Sequence, residues 1–406
     1  MNTSGIIGNV DLVKQLNGAA VYRLIDQEGP ISRIQIAESS QLAPASVTKI
    51  TRQLLEKGLI KEVAQQASTG GRRAISLTTD TSNFHSIAIR LGRDYIQLSL
   101  MNLDAQSVAH EYQHFTYNDA SSLETGLLSH LNAFLTAHSD KTQTIVAIGI
   151  TLPGLVDPTN GIINYMPNTN IENFELADKV RSAFSIPCFL SNDVKAMALA
   201  EHYFGKTKDC QDSIVISVHR GTGSGIIING DIFLGFNRNV GEIGHIQVDP
   251  LGEQCQCGNF GCLETIASNP AIVSHINKKI QQGFSSSLEN IDNITITDVC
   301  QHANQGDDLA KQALINVGNY LGKAIAITIN LFNPQKVVLA GAITECEDII
   351  LPALYRNIEN QSLKAFSKQM SIVSSQLTKT PTLGAFAIIK KAILSGELLQ
   401  LILDHE

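Results

Sequence analysis

Three of the seven cysteines in this 406-residue chain lie close together, and a histidine stands shortly before them. The four residues are His245, Cys255, Cys257 and Cys262. Three thiolates and one imidazole are the closed set of ligands that structural zinc takes in tetrahedral geometry. Gly258 and Gly261 lie between the ligands, where a chain that wraps around an ion needs positive φ angles. The spacing predicts one structural zinc ion per chain; a cluster of reduced thiols and a disulfide are the alternatives.

The zinc segment is the centre of a longer pattern of motifs. It begins with Glu242-Ile-Gly-His245 and ends with Cys255-Gln-Cys-Gly-Asn-Phe-Gly-Cys-Leu-Glu264. The other motifs are, in chain order, Leu152-Pro-Gly154, Asn192-Asp193, Gly221-Thr-Gly-Ser-Gly225 and Gly384-Ala-Phe386. In type and order these motifs resemble the ROK family (repressors, open reading frames and kinases), and the resemblance covers essentially the whole chain. It implies an actin-like sugar-kinase fold of two α/β lobes, with a hexose in the cleft between the lobes.

The resemblance also implies a set of sugar-binding residues. They are Gly154, Asn168, Asn192, Asp193, Glu242, His245 and Glu264. Carboxylates and amides suit this task because each sugar hydroxyl is both donor and acceptor, and a charged acceptor forms the stronger hydrogen bond. His245 would place one ring nitrogen on the metal and the other on a sugar hydroxyl. Each residue taken alone also fits a cap or a turn, and Asn192-Asp193 precedes a predicted helix that it would cap well.

The chain departs from the kinases of the family at one position. The resemblance gives Asp193 the place of the general base, but ATP also requires two glycine-rich loops whose backbone N–H groups hold phosphate. Where the first loop should read Asp-x-Gly-Gly-Thr, this chain reads Ile89-Arg-Leu-Gly-Arg-Asp-Tyr95. Without the small residues and the acidic residue that organises Mg²⁺, ATP has no phosphate site. The sequence therefore predicts a protein that is not an enzyme, with an active hexose or N-acetylhexosamine kinase as the alternative.

The second glycine-rich segment, Gly221–Gly225, is retained, and His219-Arg220 stands before it. A phosphate already attached to the sugar could occupy the place that the nucleotide phosphate has lost. The predicted phosphate-binding residues are His219, Arg220, Gly221, Thr222 and Gly223. Because a guanidinium matches phosphate geometry with paired hydrogen bonds, we expect a sugar phosphate to bind more tightly than the free sugar. The expected difference is about 3 kcal/mol, or about a hundredfold.

The first eighty residues carry nine lysines and arginines against seven aspartates and glutamates, whereas the whole chain has a net charge of −8. Asn9 is predicted to cap a first helix, Ser32 and Gln35 form a capping box for the second, and Pro44 begins the third. Two short strands joined by a diglycine turn complete a winged helix-turn-helix, whose recognition helix enters the major groove. The expected DNA contacts are Ser46, Lys49, Arg52, Gln53, Arg72 and Arg73. A helical hairpin with only a structural role is the alternative.

Beyond Asn83, strands alternate with helices, and the apolar run Thr144–Leu152 is typical of a strand buried on both faces. We expect an α/β protein, with the winged helix-turn-helix domain followed by a two-lobed actin-like fold. The predicted domains are residues 1–80 for DNA binding, residues 81–192 with 385–406 as a small lobe, and residues 193–384 as a large lobe. The large lobe would carry the zinc loop and an oligomerisation surface.

The composition, with 43% hydrophobic residues, fits a globular protein. No apolar run approaches the ~18 residues of a membrane-spanning helix, and the N-terminus lacks the pattern of a secretory signal, so we expect a cytoplasmic protein. The four remaining cysteines are scattered and are expected to be ordinary thiols; they are Cys188, Cys210, Cys300 and Cys346.

The motifs together favour a sugar-responsive repressor that binds an inverted-repeat operator as a homodimer or homotetramer. The resemblance implies N-acetylglucosamine as the sugar, and the retained segment Gly221–Gly225 with His219-Arg220 predicts its phosphorylated form, N-acetylglucosamine 6-phosphate, as the inducer. Regulation by a protein partner, as in glucose-responsive members of the family, is a further alternative. The apolar C-terminal segment Leu398–Leu403 is predicted to form a helix that either secures a dimer or packs on its own lobe.

Overall fold

The computed structural model of the protein describes residues 10–64, 75–377 and 380–404. The chain forms two compact units: unit 1 comprises residues 1–193 and 382–406, and unit 2 comprises residues 194–381. Each unit mixes helices with strands, which confirms the predicted α/β class. The division into three domains remains a prediction. Among the described residues, none of the helices combines the length and the apolar character that crossing a membrane requires.

The elements are numbered along the chain. The helices are α1 (Val10–Glu28), α2 (Arg33–Ser40), α3 (Pro44–Glu56), α4 (Ala120–Ala137), α5 (Leu176–Phe184), α6 (Asp193–Phe204), α7 (Glu264–Ala267), α8 (Asn269–Gln281), α9 (Ile296–Asn304), α10 (Asp308–Phe332), α11 (Glu347–Gln361), α12 (Lys364–Ser367), α13 (Leu383–Leu394) and α14 (Glu397–Asp404). The strands are β1 (Ile31–Ser32), β2 (Ile60–Ala64), β3 (Ile75–Thr79), β4 (His85–Leu91), β5 (Tyr95–Asn102), β6 (Ser107–His114), β7 (Ile145–Leu152), β8 (Leu155–Asp157), β9 (Ile162–Met166), β10 (Ile171–Phe174), β11 (Cys188–Asn192), β12 (Ser213–Val218), β13 (Thr222–Ile228), β14 (Asp231–Ile232), β15 (Lys336–Ala340) and β16 (Ser371–Ser374).

Unit 1 begins with the predicted winged helix-turn-helix. Its antiparallel sheet has the order β1-β3-β2, in which β1 lies between α1 and α2 while β2 and β3 follow α3. The capping box at α2 is confirmed, because the Ser32 side chain accepts from the Gln35 backbone while the Gln35 side chain accepts from the Ser32 N–H. Pro44 is the first residue of α3, as its fixed φ angle predicts. Asn9 and the predicted diglycine turn of the wing lie outside the described residues.

The rest of unit 1 is built on a five-stranded mixed sheet in the order β11-β7-β4-β5-β6. Strand β7 lies in parallel between β11 and β4, and its residues from Ala147 to Leu152 are buried, as the run Thr144–Leu152 predicts. Gly149 in β7 lies beneath α13, where a Cβ atom would come within 2.3 Å of the Ala385 carbonyl oxygen and 2.9 Å of the Ile389 side chain. The missing side chain therefore lets α13 pack directly against the sheet.

Unit 2 is built on a second five-stranded mixed sheet, in the order β14-β13-β12-β15-β16. The turn predicted at Gly221–Gly225 is wrong, because β13 already begins at Thr222 and pairs with β12 through this segment. The turn is instead the preceding His219–Gly221, in which the His219 N–H donates to the Gly221 carbonyl at 2.9 Å. Gly225 lies in the strand because a Cβ there would come within 2.6 Å of Ala198 on α6. Close packing of helix on strand, rather than turn formation, explains this glycine.

Helix α1 also contacts the two C-terminal helices of unit 1. Arg23 donates through Nη2 to the Leu394 carbonyl at 2.8 Å, and Lys390 forms an ion pair with Asp26 at 2.9 Å. Leu398, Leu399 and Ile402 of α14 are buried. Helix α14 therefore packs on its own unit, which is one of the two possibilities for this segment, and a role of α14 in a dimer stays a prediction.

Candidate functional site

The four predicted metal ligands come together in unit 2. Their ligand atoms all lie within 4.8 Å of one another. The Cys255 Sγ is 3.6 Å from the His245 Nδ1, and the Cys257 Sγ is 3.7 Å from the Cys262 Sγ. Tetrahedral zinc, with Zn–S near 2.3 Å and Zn–N near 2.0–2.1 Å, requires ligand separations of about 3.8 Å and about 3.6 Å. The cluster can therefore bind a metal ion, and its dimensions fit zinc.

The loop that carries the ligands is fixed by close backbone contacts. Gly258 and Gly261 have φ angles of +93° and +67°, as predicted for a chain that wraps around an ion. A Cβ at Gly261 would lie 1.5 Å from the Asp249 carbonyl oxygen, so no other residue fits there. The Tyr320 hydroxyl donates to the Asp249 carboxylate at 3.2 Å and thereby ties the loop to α10.

The three thiols differ in ionisation. Burial raises the pKa of Cys255, and it raises the pKa of Cys262 to about 12. Cys257 is exposed, and its pKa is lowered to about 7, chiefly because the Asn259 N–H donates to it. A bound cation would hold all three as thiolates, since coordination deprotonates a thiol outright. All seven cysteines lie within the described residues, and none forms a disulfide.

The other predicted site residues of unit 2 surround the start of β13. The Glu264 Oε2 accepts from the Thr222 N–H at 3.0 Å, and a Cβ at Gly221 would lie 2.6 Å from the same oxygen. Glu242 is exposed and directly precedes the 3₁₀ turn Ile243–His245, which carries the metal-cluster histidine. The structure thus brings Glu264 to the glycine-rich segment, where its carboxylate already takes one backbone N–H.

Unit 1 brings together Gly154, Asn192 and the segment before Asn168. The Asn192 Nδ2 donates to the Gly154 carbonyl at 2.8 Å. Gly154 has a φ angle of +118°, and a Cβ there would lie 2.4 Å from the Tyr165 carbonyl oxygen. Asp193 is the first residue of α6, where the helix N-terminus favours a carboxylate. These positions are close in space although the chain separates them widely.

Arg93 is a residue of this region that sequence reasoning missed. Its Nη1 and Nη2 donate to the side-chain oxygen of Asn168 at 2.7 and 2.9 Å. The orientation of the amide follows from this contact, because only the oxygen can accept from two guanidinium nitrogens. Arg93 stands where kinases of the family need a small phosphate-loop residue, so the sequence held a signal. That signal indicated the loss of the ATP phosphate site, whereas the structure shows that Arg93 contacts Asn168.

The described part of the predicted DNA interface is the outer face of α3. Ser46, Lys49 and Arg52 are exposed and Gln53 is half-buried, while Val47, Thr51 and Leu54 are buried on the opposite face. Arg33 donates to the Thr51 hydroxyl at 3.1 Å and to the Glu62 carboxylate at 2.9 Å, which connects α3 to β2. Arg72 and Arg73 lie outside the described residues.

Comparison with known protein families assigns the chain to a family. The chain matches the ROK family over residues 86–392. The chain belongs to the ROK family. Residues 19–66, which run from the middle of α1 past the end of β2, match the MarR family.

Individual relatives agree with this assignment. The chain is 55% identical over 399 residues to the DNA-binding transcriptional dual regulator NagC of Escherichia coli strain K12, covering 98% of each chain. A crystal structure of a ROK family transcriptional regulator, a homologue of the E. coli Mlc protein, matches with a TM-score of 0.92 and 40% identity over 97% of this chain and 100% of that one. A ROK family glucokinase from Streptomyces griseus, solved with glucose and AMPPNP, has the same fold over 75% of this chain and 98% of its own, with a TM-score of 0.64 and 24% identity.

Proposed function

We propose that the protein is a transcriptional repressor of amino-sugar uptake and catabolism genes, which leaves operator DNA when it binds N-acetylglucosamine 6-phosphate. The observation that carries this proposal is the presence of two parts in one chain. The first is an exposed basic face on a helix-turn-helix. The second is a sugar-kinase fold in which a turn with Arg93 stands where kinases have their first phosphate loop. Identity of 55% to NagC along both parts supports the same assignment.

The kinase alternative is disfavoured by the turn Gly92–Tyr95, called here the Arg93 turn. Its Gly92 N–H donates to the Tyr95 carbonyl at 2.8 Å, and the long side chain of Arg93 projects from it to Asn168. With the long Arg93 side chain in place of a glycine, this turn gives ATP phosphates no close approach to a row of backbone N–H groups. Sugar recognition by Gly154, Asn168, Asn192, Asp193, Glu242, His245 and Glu264 would then serve regulation and not phosphoryl transfer.

We propose that the His245 cluster holds one structural zinc ion. Four protein ligands leave no open position for a catalytic water, so the metal would fix the shape of the loop. Zinc on the Nδ1 of His245 would leave its Nε2 for a sugar hydroxyl. The cation would also neutralise the buried thiolates, whose pKa values burial otherwise raises.

The proposed working form is a cytoplasmic homodimer or homotetramer on an inverted-repeat operator. In such a complex α3 would lie in the major groove and half-sites would be spaced by whole helical turns. The residues expected at the duplex remain Ser46, Lys49, Arg52, Gln53, Arg72 and Arg73.

The deciding experiment is a gel-shift titration with DNA fragments from upstream of the organism's own amino-sugar genes. We expect binding that is specific for these fragments and is reversed by N-acetylglucosamine 6-phosphate. ATP turnover with N-acetylglucosamine is measured on the same preparation. Turnover without specific DNA binding would favour the kinase. Specific binding that no sugar or sugar phosphate reverses would favour control by a protein partner.

A further inference from the structure

The contact between Arg93 and Asn168 joins a residue of the lost phosphate loop to a predicted sugar-binding amide. We infer that Arg93 binds the 6-phosphate of the inducer. When no phosphate is present, Arg93 stays hydrogen-bonded to the Asn168 side chain and so lowers the affinity for the free sugar. This inference rests on the proposed function, because it names the residue that selects the phosphorylated sugar. It departs from the sequence-based prediction, which gave that role to Arg220 and the glycine-rich segment.

The Arg93 turn is held firmly in position by neighbouring elements. The buried hydroxyl of Tyr117 donates to the Gly92 carbonyl at 2.7 Å, and the Phe115 N–H donates to the Asp94 carbonyl at 3.1 Å. A Cβ at Gly92 would lie 2.3 Å from the Tyr95 ring, which packs across the turn. A turn fixed in this way presents the Arg93 side chain from a constant position, as a specificity contact requires.

Arg93 and Asn168 can separate at little cost because both residues are exposed. Hydrogen bonds between exposed groups contribute little net free energy, since water replaces them when they break. A phosphate dianion would give the guanidinium a charged acceptor with matching geometry, which is a stronger partner than a single amide oxygen. The exchange would free the Asn168 oxygen to accept from a sugar hydroxyl.

The charges around the turn make a cation necessary for a phosphorylated ligand. Arg90, Asp193 and Asp94 all act on the Tyr95 hydroxyl, so one guanidinium and two carboxylates lie near this turn and leave it with an excess of negative charge. A phosphate placed among them would be repelled unless a cation offsets the negative charge. Arg93 supplies that cation within hydrogen-bonding distance of a sugar-binding residue.

The glycine-rich segment of unit 2 is a weaker candidate for the phosphate. Its Thr222 N–H already donates to the Glu264 carboxylate at 3.0 Å, and Gly221 lies close to the same oxygen. A phosphate there would have to displace a carboxylate or lie beside it, and both cost free energy. Arg93 is bonded to a neutral amide, which a phosphate can displace from the guanidinium without separating a pair of opposite charges.

The inference predicts opposite effects on two ligands. In Arg93→Ala, affinity for N-acetylglucosamine 6-phosphate should fall by at least about twentyfold, because a charge-assisted paired contact is lost. Affinity for free N-acetylglucosamine should rise by about threefold, because Asn168 no longer has an internal partner. Arg93→Lys should lie between wild type and Arg93→Ala, since lysine keeps the charge but not the paired geometry.

The experiment is calorimetric titration of the full-length protein with both ligands. The proteins are wild type, Arg93→Ala, Arg93→Lys, Arg220→Ala, and Arg356→Ala, which removes an exposed arginine from α11 as a charge control. Operator affinity without sugar and the thermal unfolding midpoint confirm that each variant is folded. Wild type that binds neither ligand, or binds both equally, would overturn the proposed inducer and the inference with it.

A wild-type protein that prefers the phosphorylated sugar would support the proposed inducer. The variants would then decide whether Arg93 is the residue that binds the phosphate. If Arg93→Ala keeps the full preference, or if only Arg220→Ala removes it, the inference is wrong while the proposed function stands. If Arg93→Ala weakens both ligands equally, Arg93 acts through the shape of the site and not on the phosphate, and the inference is again wrong. A collapse of the preference in Arg93→Ala, with an unchanged Arg356→Ala, would establish it.

Discussion

Cys257 is the exposed member of the metal cluster, so its replacement tests the metal with the least damage to the core. We predict that Cys257→Ser reduces the zinc content from one ion per chain to a small fraction of that. A serine hydroxyl is a poor zinc ligand, and three ligands bind the ion far more weakly than four. Elemental analysis of the purified variant measures the loss, and a lower thermal unfolding midpoint should accompany it.

Cys257→His is the matched control, because two cysteines with two histidines also form a zinc site. We expect this variant to regain a substantial part of the metal. Wild-type protein without stoichiometric zinc would contradict the assignment, and so would a Cys257→Ser variant that keeps its zinc.

At the same scale, the sequence shows some functional residues and conceals others. The metal ligands could be predicted because Cys255, Cys257 and Cys262 are neighbours in the chain, so their spacing alone brings them together. The Arg93–Asn168 contact could not, because it depends on how the Arg93 turn meets the segment after β9. No pattern of spacing reports such a meeting of distant loops. The bond from Thr222 to Glu264 was missed for the same reason.

At the scale of elements, Asp307 at the start of α10 makes stability depend on pH. Burial alone raises the pKa of Asp307, but hydrogen bonds from the Ala310 and Ser287 N–H groups and from nearby serine hydroxyls lower it below its ordinary value. A depressed pKa in the folded state means that the carboxylate stabilises the protein above the unfolded-state pKa of about 3.9. This stabilisation is lost as the pH falls through the folded-state pKa.

We therefore predict that Asp307→Asn lowers the free energy of unfolding by about 1–2 kcal/mol at pH 7. The difference from wild type should shrink below about pH 4, and urea unfolding at several pH values measures it. Comparison at each pH removes effects common to both proteins, such as protonation of the metal ligands. Asp308→Asn is the control, because Asp308 is exposed and the described residues show no hydrogen bond to its side chain; it should cost less than about 0.5 kcal/mol. Equal losses for the two variants would contradict the role of Asp307 as a cap.

Helix α3 allows a test of DNA recognition that does not depend on the wing. We predict that Arg52→Ala weakens binding to the operator by about tenfold, within the 1–3 kcal/mol expected when a base contact is lost. Binding to non-specific DNA should change less, because phosphate contacts elsewhere remain. Gel-shift titration at fixed salt with both DNAs measures the two effects, and Arg356→Ala controls for net charge. A uniform loss on both DNAs would assign Arg52 to the phosphate backbone instead.

The sequence predicted where helices and strands lie better than it predicted why glycines occur in them. The capping box at Ser32 and the apolar run of β7 are local signals, and the structure confirms both. The segment Gly221–Gly225 was assigned to a turn because glycine is common there. Gly225 instead serves a tight contact between β13 and α6, and Gly221 makes room for the Glu264 carboxylate; only the tertiary structure reveals both.

At the scale of the whole molecule, unit 1 contains a continuous path from a predicted sugar-binding loop to the DNA-binding helices. Strand β7 ends just before Gly154 and carries Gly149, on which α13 packs. Helix α13 carries Lys390, which pairs with Asp26 of α1 at 2.9 Å, and both side chains are only 17% exposed. A shift of β7 on sugar binding would therefore reach α1 through packed elements and one ion pair, which is the kind of contiguous network that can couple two sites.

We predict that Lys390→Met weakens this coupling while leaving the sugar site intact. The free energy of unfolding should fall by about 2 kcal/mol, because the Asp26 carboxylate loses its partner in a partly buried position. Affinity for N-acetylglucosamine 6-phosphate should stay within about twofold of wild type, since Lys390 is not among the predicted sugar-binding residues. The ratio of operator affinities without and with the sugar should fall by about tenfold, a typical coupling free energy.

The double variant Asp26→Asn/Lys390→Met separates stability from coupling. It should recover part of the lost stability, because no unpaired charge remains, but it should not recover the response to the sugar. Calorimetry gives the ligand affinities, urea unfolding gives the stabilities, and gel-shift titration with and without ligand gives the operator affinities. A double variant with restored stability and a full response would show that the ion pair serves only to hold α1 in place. Loss of response in all variants, at unchanged ligand affinity, would establish that α13 transmits sugar binding to the DNA-binding helices.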